Sequence, residues 1–149
     1  MTIRDLSLSD LDAVTAIDRV CFPPPVAFPR ELFEECLDRN DTLSLGIERD
    51  GRLAAFAVIN RSGPSALQII TIDVLPEFRR QGLADALMQE AMAAARANGI
   101  KRIVLQAAVD NDPAIALYKK WGFRIKAVLP DYYGQGKDAF LMDREIGEK

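Results

Sequence analysis

The junction between residues 74 and 88, "VLPEFRRQGLADALM", constrains the fold of this chain most strongly. An apolar, strand-like run ends at Pro76, and from Gly82 onward the apolar residues recur at helical spacing. A helix that begins there leaves its first backbone amides without intrahelical partners, beside Arg79 and Arg80. Such a helix start carries roughly half a positive charge and binds phosphate groups. The sequence therefore predicts an anion cradle, the alternative being an ordinary solvated helix start with two surface arginines.

Local signals divide the rest of the chain into helices and strands. Ser9 and Asp12 resemble a capping box before a helix over residues 10–21, and consecutive prolines exclude regular structure directly after it. Asp50-Gly51 is typical of a tight hairpin turn within residues 42–60. The remaining predicted helices begin at Pro29, Gly82 and Asp112, and the remaining predicted strands cover residues 66–75, residues 101–109, GFRIKAVLP and DAFLMDREI. The order β, α, α, β, β, β, α, β, α, β, β predicts one α/β (α+β) domain over residues 1–149, with helices covering a mixed sheet.

Composition limits the classes of function. Apolar residues make up 49% of the 149 residues, and the formal net charge is -3, so we expect a soluble globular protein without general attraction for nucleic acid or anionic lipid. The longest clean apolar run, residues 53–59, is too short to cross a bilayer, and the acidic N-terminus does not resemble a signal peptide. We therefore expect a cytoplasmic protein with neither nucleic-acid nor membrane partners.

Two cysteines and the absence of histidine limit the available chemistry. Cys21 and Cys36 stand alone, and the sequence contains no histidine. This composition argues against a Cys/His zinc cage and against a disulfide scaffold. It also excludes nucleophilic schemes that need a histidine base. We expect two free, packed thiols and no bound metal.

Two sequence blocks resemble the GNAT N-acetyltransferase superfamily. Arg79-x-x-Gly82-x-Ala84 after "IDV-x-P" resembles the acyl-CoA signature Q/R-x-x-G-x-G/A of that family, and "DNDPAIALYKKWGF" resembles its N-x-x-A-x-x-L-Y-x-x-x-G-F element. The segment "DYYGQGKDAFLM" is similar to the close of the ribosomal-protein N-terminal (alanine) acetyltransferase branch. The resemblance implies the GNAT fold from end to end, a central mixed and mostly antiparallel sheet of about seven strands flanked by about four helices.

The resemblance also implies a set of site residues for acetyl-CoA as the acyl donor. Asn111 would contact the pantetheine arm, and Tyr118 would be the general acid that protonates the departing CoA thiolate. The residues alone leave a helix cap open for Asn111 and a core position open for Tyr118. The arm would pair with the backbone of Ile72 and Val74, and the pyrophosphate would lie on the amides of Arg80, Gln81, Gly82, Leu83 and Ala84, beside Arg79.

Three positions depart from the family pattern. Gln106 and Gln68 stand where two branches of the family carry a glutamate that acts as a general base, and an amide side chain cannot take a proton. Asp85 would weaken the positive field at the phosphates unless its side chain turns away to solvent. The sequence therefore offers no base at either family position.

The missing base favours an acceptor amine with a low pKa. Deprotonation at pH 7 costs about 4.6 kcal/mol for a lysine amine and about 1.1 kcal/mol for an α-amine, from reference pKa values of about 10.4 and 7.8. We hypothesise that the proton leaves through water towards Asp110, Asp131 or Glu77. Asp73 is a further candidate, although strand alternation points its side chain away from the cleft.

The predicted function is acetyl-CoA-dependent transfer of an acetyl group to a primary amine by direct attack, with an α-amine favoured. The acceptor side is assigned to residues 22–28 and Tyr132-Tyr133, whose aromatic rings are equally suited to ordinary packing. A non-catalytic acyl-CoA-binding or regulatory domain, a small-molecule amine acetyltransferase and an unrelated phosphate-binding module stay open as alternatives. The sequence leaves open whether the protein is a monomer or a homodimer.

Overall fold

The structure is a computed structural model, and it describes residues 2–147. These residues form a seven-stranded sheet in the order β1-β2-β3-β4-β5-β7-β6, with four α-helices. Short 3-10 turns at Leu8–Asp10 and Pro76–Phe78 precede the first and third helices. The strands are β1 (Ile3–Asp5), β2 (Thr42–Arg49), β3 (Arg52–Arg61), β4 (Ala66–Val74), β5 (Arg102–Ala108), β6 (Arg124–Leu129) and β7 (Ala139–Glu145), and the helices are α1 (Leu11–Cys21), α2 (Arg30–Asp38), α3 (Leu83–Ala97) and α4 (Asp112–Lys120).

The element order agrees with the sequence-based prediction, and two local details differ. Asp50 and Gly51 form the turn between β2 and β3 with φ angles of 55° and 76°, as a tight hairpin requires. The predicted capping box is wrong, because the 3-10 turn moves the cap towards the N-terminus, and the Asp10 carboxylate accepts the Ser7 amide at 2.9 Å. Pro29 is the N-cap of α2 rather than its first helical residue.

The sheet opens between its two parallel strands. Neighbouring strands are antiparallel except β4 and β5, whose pairing runs only from Ala66 with Arg102 to Ile69 with Leu105. Beyond these residues β4 continues to Val74 and β5 to Ala108, each paired only with its outer neighbour. The β3–β4 register also shifts, because Val58 opposes Thr71 whereas Ile59 opposes Ile69. A bulge of this kind bends a strand, and it lies where β4 separates from β5.

Buried side chains hold the helices that surround this opening. Phe33 of α2 packs edge-on against Phe56 of β3 with ring centroids 5.8 Å apart, and both rings are fully buried. On α3, Met88 and Met92 belong to the cluster that contains Leu105 of β5. Each such side chain contributes about 1.5–3 kcal/mol when it is removed from water. The fold thereby fixes the start of α3 close to the end of β4.

Candidate active site

The turn before α3 presents a row of free backbone amides. Arg80 and Gly82 have φ angles of 64° and 79°, and the Ala86 amide donates to the Gly82 carbonyl at 3.0 Å as α3 begins. The amides of residues 80–84 make no hydrogen bond to other parts of residues 2–147. Successive amides in such a conformation form a concave anion site. A Cβ placed on Gly82 would meet no atom within 4 Å, so the space in front of the turn is open.

A cleft of about 450 Å³ begins at this turn and enters the gap between β4 and β5. Seven of the ten predicted site residues line it, and the other three, Gln81, Gly82 and Leu83, lie in the turn or at the first position of α3. The Leu83 side chain is buried in the core, so only its backbone faces the site. The lining residues from the prediction are Ile72, Val74, Arg79, Arg80, Ala84, Asn111 and Tyr118.

The end of β4 offers backbone groups to the cleft. The Leu75 amide donates to the Ala54 carbonyl at 2.9 Å, and the neighbouring Val74 lies opposite Ala55 of β3. Bonded and non-bonded pairs alternate along an antiparallel ladder, so the backbone groups of Ile72 and Val74 point away from β3. They face the gap that β5 leaves open. An extended molecule in the cleft can therefore pair with this edge as an added strand.

Two side chains already bind the carbonyl at the end of β4. The Arg79 Nε donates to the Val74 oxygen at 3.0 Å, and the Cys21 Sγ donates to it at 3.4 Å. Arg79 thus uses one of its donors on the strand, whereas the Arg80 side chain makes no hydrogen bond with another residue of the range 2–147. Cys21 and Cys36 are both free thiols, as predicted. Burial, and secondarily the nearness of Asp73, raises the pKa of Cys21 to about 11, so this thiol is a poor nucleophile at neutral pH.

Tyr118 lies where the cleft meets a second, smaller cavity. Its side chain is 7% exposed, and its ring packs edge-on against Phe123 at a centroid distance of 5.9 Å. Its hydroxyl makes no hydrogen bond with any described side chain or backbone group of residues 2–147, which is unlike a satisfied core tyrosine. Burial, and then the nearness of Asp73 and Tyr133, raises the pKa of Tyr118 well above its ordinary value. The group therefore keeps its proton at neutral pH and can donate it.

Asn111 combines two of the roles that the sequence left open. Its side-chain oxygen accepts the Ala114 amide at 3.2 Å, so it caps α4. The same residue lines both the cleft and the smaller cavity. The cap fixes the first turn of α4, and with it the helix that carries Tyr118.

The smaller cavity has a volume of about 40 Å³ and mostly apolar walls. It lies between the loop that joins α1 to α2 and the diverging ends of β4 and β5. Of the aromatic residues assigned to the acceptor side, Tyr132 is 48% exposed and stacks edge-on against Tyr133 instead of lining the cavity. The walls include Phe22, Val26, Phe28, Ile70, Gln106 and Tyr133.

The two glutamines at the family base positions bind each other. The Gln68 Nε2 donates to the Gln106 Oε1 at 2.8 Å, close to the point where β4 and β5 separate. Gln106 lines the smaller cavity, so an amide lies there at a position where the family resemblance implies a base. Neither side chain can take a proton.

The acidic residues suggested as proton acceptors lie elsewhere. Glu77 pairs with Arg52 at 2.7 Å on the surface, and Asp131 accepts the Gly136 amide at 2.8 Å within the β6–β7 connection. Neither these two residues nor Asp110 lines the cleft or the smaller cavity. The hypothesis of a water-relayed path to them gains no support from their positions.

Asp85 turns away from the cradle and joins α3 to α4. Its carboxylate accepts the Trp121 Nε1 at 2.7 Å and the Lys120 Nζ at 2.9 Å. The hydrogen bond from Lys120, followed by that from Trp121, lowers the pKa of Asp85. Its negative charge is thus neutralised by α4, which removes the expected weakening of the field at the cradle.

Two carboxyl groups near the cleft differ from the sequence-based expectation, Asp18 because it was not predicted and Asp73 because it was expected to point away. Asp73 lines the cleft, contrary to the expectation that its side chain points away from it. It meets Asp18 of α1, which was not among the predicted site residues. A signal existed, because Asp18 follows Leu11 and Val14 at helical spacing and therefore lies on the buried face of α1.

Comparisons with known proteins agree with this geometry. The Acetyltransferase (GNAT) family matches residues 11–123. An N-alpha-acetyltransferase of Sulfurisphaera tokodaii is 32% identical over 152 residues, which cover 94% of this chain and 90% of the relative. The crystal structure of the ribosomal-protein-S18-alanine N-acetyltransferase from Escherichia coli superimposes with a TM-score of 0.86 at 27% identity, covering 98% of this chain and 94% of that one. Arabidopsis thaliana NAA60 in complex with acetyl-CoA gives a TM-score of 0.84 at 25% identity, covering 97% and 98%.

The chain belongs to the GNAT acetyltransferase family, and it is an N-acetyltransferase of that family. The predicted family, the sheet of seven strands with four helices and the predicted enzyme class are confirmed. Among residues 2–147, no helix has the length and apolar character needed to cross a bilayer.

Proposed function

We propose that the protein transfers the acetyl group of acetyl-CoA to the α-amine of a protein or peptide N-terminus. One observation carries this proposal, the unbonded Tyr118 hydroxyl at the meeting point of two cavities. One cavity leads to the amide cradle, which suits a pyrophosphate, and the other is a small apolar pocket, which suits an acceptor. The names of the relatives, N-alpha-acetyltransferase and S18-alanine N-acetyltransferase, support the same acceptor class.

Acetyl-CoA is the donor substrate in this proposal. Its pyrophosphate binds the amides of residues 80–84, and Arg80 supplies a nearby positive charge. The pantetheine arm pairs with the backbone edge at Ile72 and Val74 and passes Asn111. This placement directs the thioester towards the gap between β4 and β5. The Val74 amide, which faces this gap, is the donor that polarises the thioester carbonyl.

The reaction is a direct transfer. The neutral amine attacks the thioester carbonyl carbon, a C–N bond forms and the C–S bond breaks. The nitrogen gives up one proton to water as the amide forms, and the thiolate takes the proton of the Tyr118 hydroxyl. Tyr118 then regains a proton from water. Holding the amine and the thioester in one gap lowers the activation free energy, by about 7–11 kcal/mol when the reactants are well oriented. The raised pKa of Tyr118 keeps the donor protonated before each turnover.

The pocket and the glutamine pair define the acceptor class. With amides at both base positions, an α-amine, which costs about 1.1 kcal/mol to deprotonate at pH 7, is a better nucleophile here than a lysine at about 4.6 kcal/mol. A cavity of about 40 Å³ suits a small, uncharged first side chain. The alanine in the name of the Escherichia coli enzyme has a side chain of this kind.

We further propose that the protein works in the cytoplasm as a single domain over residues 1–149, without a metal and without nucleic-acid or membrane partners. It acts as a monomer or a homodimer. The net charge of -3 and the apolar content of 49% support a soluble protein.

The proposed function is tested by mass spectrometry of a peptide panel incubated with acetyl-CoA. We expect the acetyl group on the N-terminal nitrogen of peptides that begin with a small residue. Binding of acetyl-CoA without modification of any amine would instead support a non-catalytic acyl-CoA-binding domain. Modification confined to small-molecule amines would contradict the proposed acceptor class.

A further inference from the structure

Two carboxyl groups meet in the interior beneath the loop between α1 and α2. Asp18 lies in the last turns of α1 with 0% exposure, and Asp73 lies near the end of β4 with 1% exposure. Their side chains are within hydrogen-bonding reach of each other. Buried carboxylates normally lie beside a cation, so this arrangement requires a different explanation.

Each of the two carboxyl groups accepts a hydrogen bond on one oxygen and has no donor for its other oxygen. The Phe28 amide donates to the Asp18 Oδ2 at 2.7 Å, and the Thr71 hydroxyl donates to the Asp73 Oδ1. The Asp18 Oδ1 and the Asp73 Oδ2 are buried and accept a hydrogen bond from no described group of residues 2–147. A single proton shared between the two carboxyl groups gives both remaining oxygens a partner.

The surrounding charges do not replace that proton. Besides Asp18, the described titratable groups that face Asp73 from other elements are Arg79, Cys21 and Tyr118. Cys21 and Tyr118 are neutral at neutral pH, and the Arg79 guanidinium uses its Nε on the Val74 carbonyl rather than on either carboxylate. Burial raises the pKa of both Asp18 and Asp73, and the nearness of Asp18 raises that of Asp73 further. Burial and mutual nearness therefore favour one retained proton on the pair over two charged carboxylates.

The pair joins two walls of the smaller cavity. Through the Phe28 amide, Asp18 holds the loop of residues 22–29, which contributes Phe22 and Phe28 to the cavity. Asp73 binds Thr71, which lines the same cavity from β4. We propose that Asp18 and Asp73 share one proton and form a positioning pair that holds this loop against β4, fixing the pocket that receives the acceptor amine. The link from this pair to the acceptor rests on the function proposed above.

The positions of the two groups argue for positioning rather than for proton abstraction. Asp18 lines neither cavity, and Asp73 lines the donor cleft but not the acceptor pocket. The effect of the pair on the acceptor is therefore carried by the Phe28 amide and by Thr71.

Asp73→Asn is the decisive variant, because asparagine reproduces the hydrogen bonds without a titratable proton. Its oxygen can accept the Thr71 hydroxyl, and its amide can donate to the Asp18 carboxylate. We expect its kcat and its acceptor KM at neutral pH to stay within about threefold of the unmodified protein. Asp73→Ala leaves a buried carboxylate without a partner, so we expect its acceptor KM to rise about tenfold or more, and to rise by a larger factor than the Kd of acetyl-CoA.

The pH profile separates positioning from a merely structural role. In the unmodified protein the shared proton is lost as pH rises through the raised pKa of the pair, and mutual repulsion then separates the loop from β4. The acceptor KM of the unmodified protein should therefore rise with pH relative to the acceptor KM of Asp73→Asn. Titration of the acceptor amine affects both proteins equally, so it cancels in the ratio of the two KM values. Asp10→Asn is a matched control, since Asp10 is also a buried carboxyl but is paired with Arg4 at 2.9 Å. A loss of kcat of about a hundredfold in Asp73→Asn at every pH would overturn the proposal and make Asp73 the proton acceptor.

Infrared difference spectroscopy of the free protein gives a readout that does not depend on activity. We expect the stretching band of a protonated carboxyl group at neutral pH in the unmodified protein and in Asp10→Asn, and we expect Asp73→Asn to lack it. Absence of the band in the unmodified protein would overturn the shared proton, whatever the enzyme does. Presence of the band without acetylation of any peptide would leave the pair intact and contradict only the proposed function.

Discussion

The side-chain amide of Gln68 donates to the side-chain oxygen of Gln106 at 2.8 Å, bridging β4 and β5 just before the two strands separate. The resemblance to the family implies a glutamate base at one or other of these positions in two of its branches. The bridge gives each amide a partner, and no carboxylate of residues 2–147 lines the pocket proposed to receive the acceptor.

Gln106→Glu should therefore add a base where the pocket has none. We expect kcat/KM for an α-amine peptide to rise about tenfold to a hundredfold, because a positioned base typically contributes about 10² or more when its geometry is favourable. The rise should be larger on a lysine peptide, whose amine is harder to deprotonate. Gln106→Met, which removes the bridge without adding a carboxylate, is the control. An equal or lower rate in Gln106→Glu would show that the amine loses its proton by another route.

Tyr118→Phe removes the proposed proton donor and little else, because its hydroxyl makes no hydrogen bond with the described residues. We expect kcat to fall about a hundredfold or more, while the Kd of acetyl-CoA measured by calorimetry changes less than about twofold. Tyr132→Phe loses the same atom from a ring that lines neither cavity, and its kcat should match that of the unmodified protein. A Tyr118→Phe enzyme of full activity would exclude this residue from the mechanism.

Gly82→Ala tests the amide cradle with an internal comparison. Gly82 has a φ of 79°, and Gly63, in the turn between β3 and β4, has a φ of 86°, with open space around both. Alanine at either position should lower the free energy of unfolding by about 1–2 kcal/mol through the same backbone strain. Only Gly82→Ala should weaken acetyl-CoA binding, by about tenfold, because the added methyl group occupies the space in front of the amides. Equal Kd values for the two variants would contradict a pyrophosphate at this turn.

The carboxyl pair predicts an unusual dependence of stability on pH. The pKa of a carboxyl group that shares a proton is raised in the folded state above the unfolded value of about 3.9. Its contribution to stability is therefore complete below that value and is lost as pH rises towards the folded pKa. Between the unfolded and the folded pKa, the free energy of unfolding should fall by about 1.4 kcal/mol per pH unit for each proton that the folded state retains and the unfolded state has lost.

Asp73→Asn should flatten that decline and exceed the unmodified protein in stability at pH 8, as measured by urea unfolding between pH 5 and 8. Asp10→Asn should lower the whole curve without changing its slope between pH 5 and 8, since the hydrogen bond from Arg4 lowers the pKa of Asp10 and its contribution is lost only below the unfolded value of about 3.9. Parallel curves for Asp73→Asn and the unmodified protein would mean that Asp73 holds no extra proton.

Local rules were sufficient for much of this structure. The strand-to-helix turn at residues 76–82 follows from proline, glycine and apolar spacing, and the free amides follow from the start of a helix. The hairpin at Asp50-Gly51 is likewise a property of two adjacent residues. Such features depend on neighbours in sequence, so the order of elements could be derived without knowledge of the tertiary structure.

The features that were missed depend on pairing between distant segments. Asp18 and Asp73 are far apart in sequence, and strand alternation alone placed Asp73 outside the cleft, because it does not show which helix covers β4. Arg79 was predicted beside the pyrophosphate, and the hydrogen bond from its Nε to the Val74 carbonyl is an additional contact that sequence reasoning did not foresee. The Ser9–Asp12 cap failed for a local reason, since a 3-10 turn competed with the start of the helix.

The proposed acceptor class is tested most directly by a comparison of two peptides of equal length with acetyl-CoA as donor. One begins with a free alanine and contains arginine in place of lysine, and the other has a blocked N-terminus and one lysine. We expect kcat/KM to favour the α-amine by about tenfold or more, from the difference in deprotonation cost of about 3.5 kcal/mol at pH 7. A preference for the lysine peptide, with the acetyl group mapped to its side chain, would contradict N-terminal acetylation by this protein.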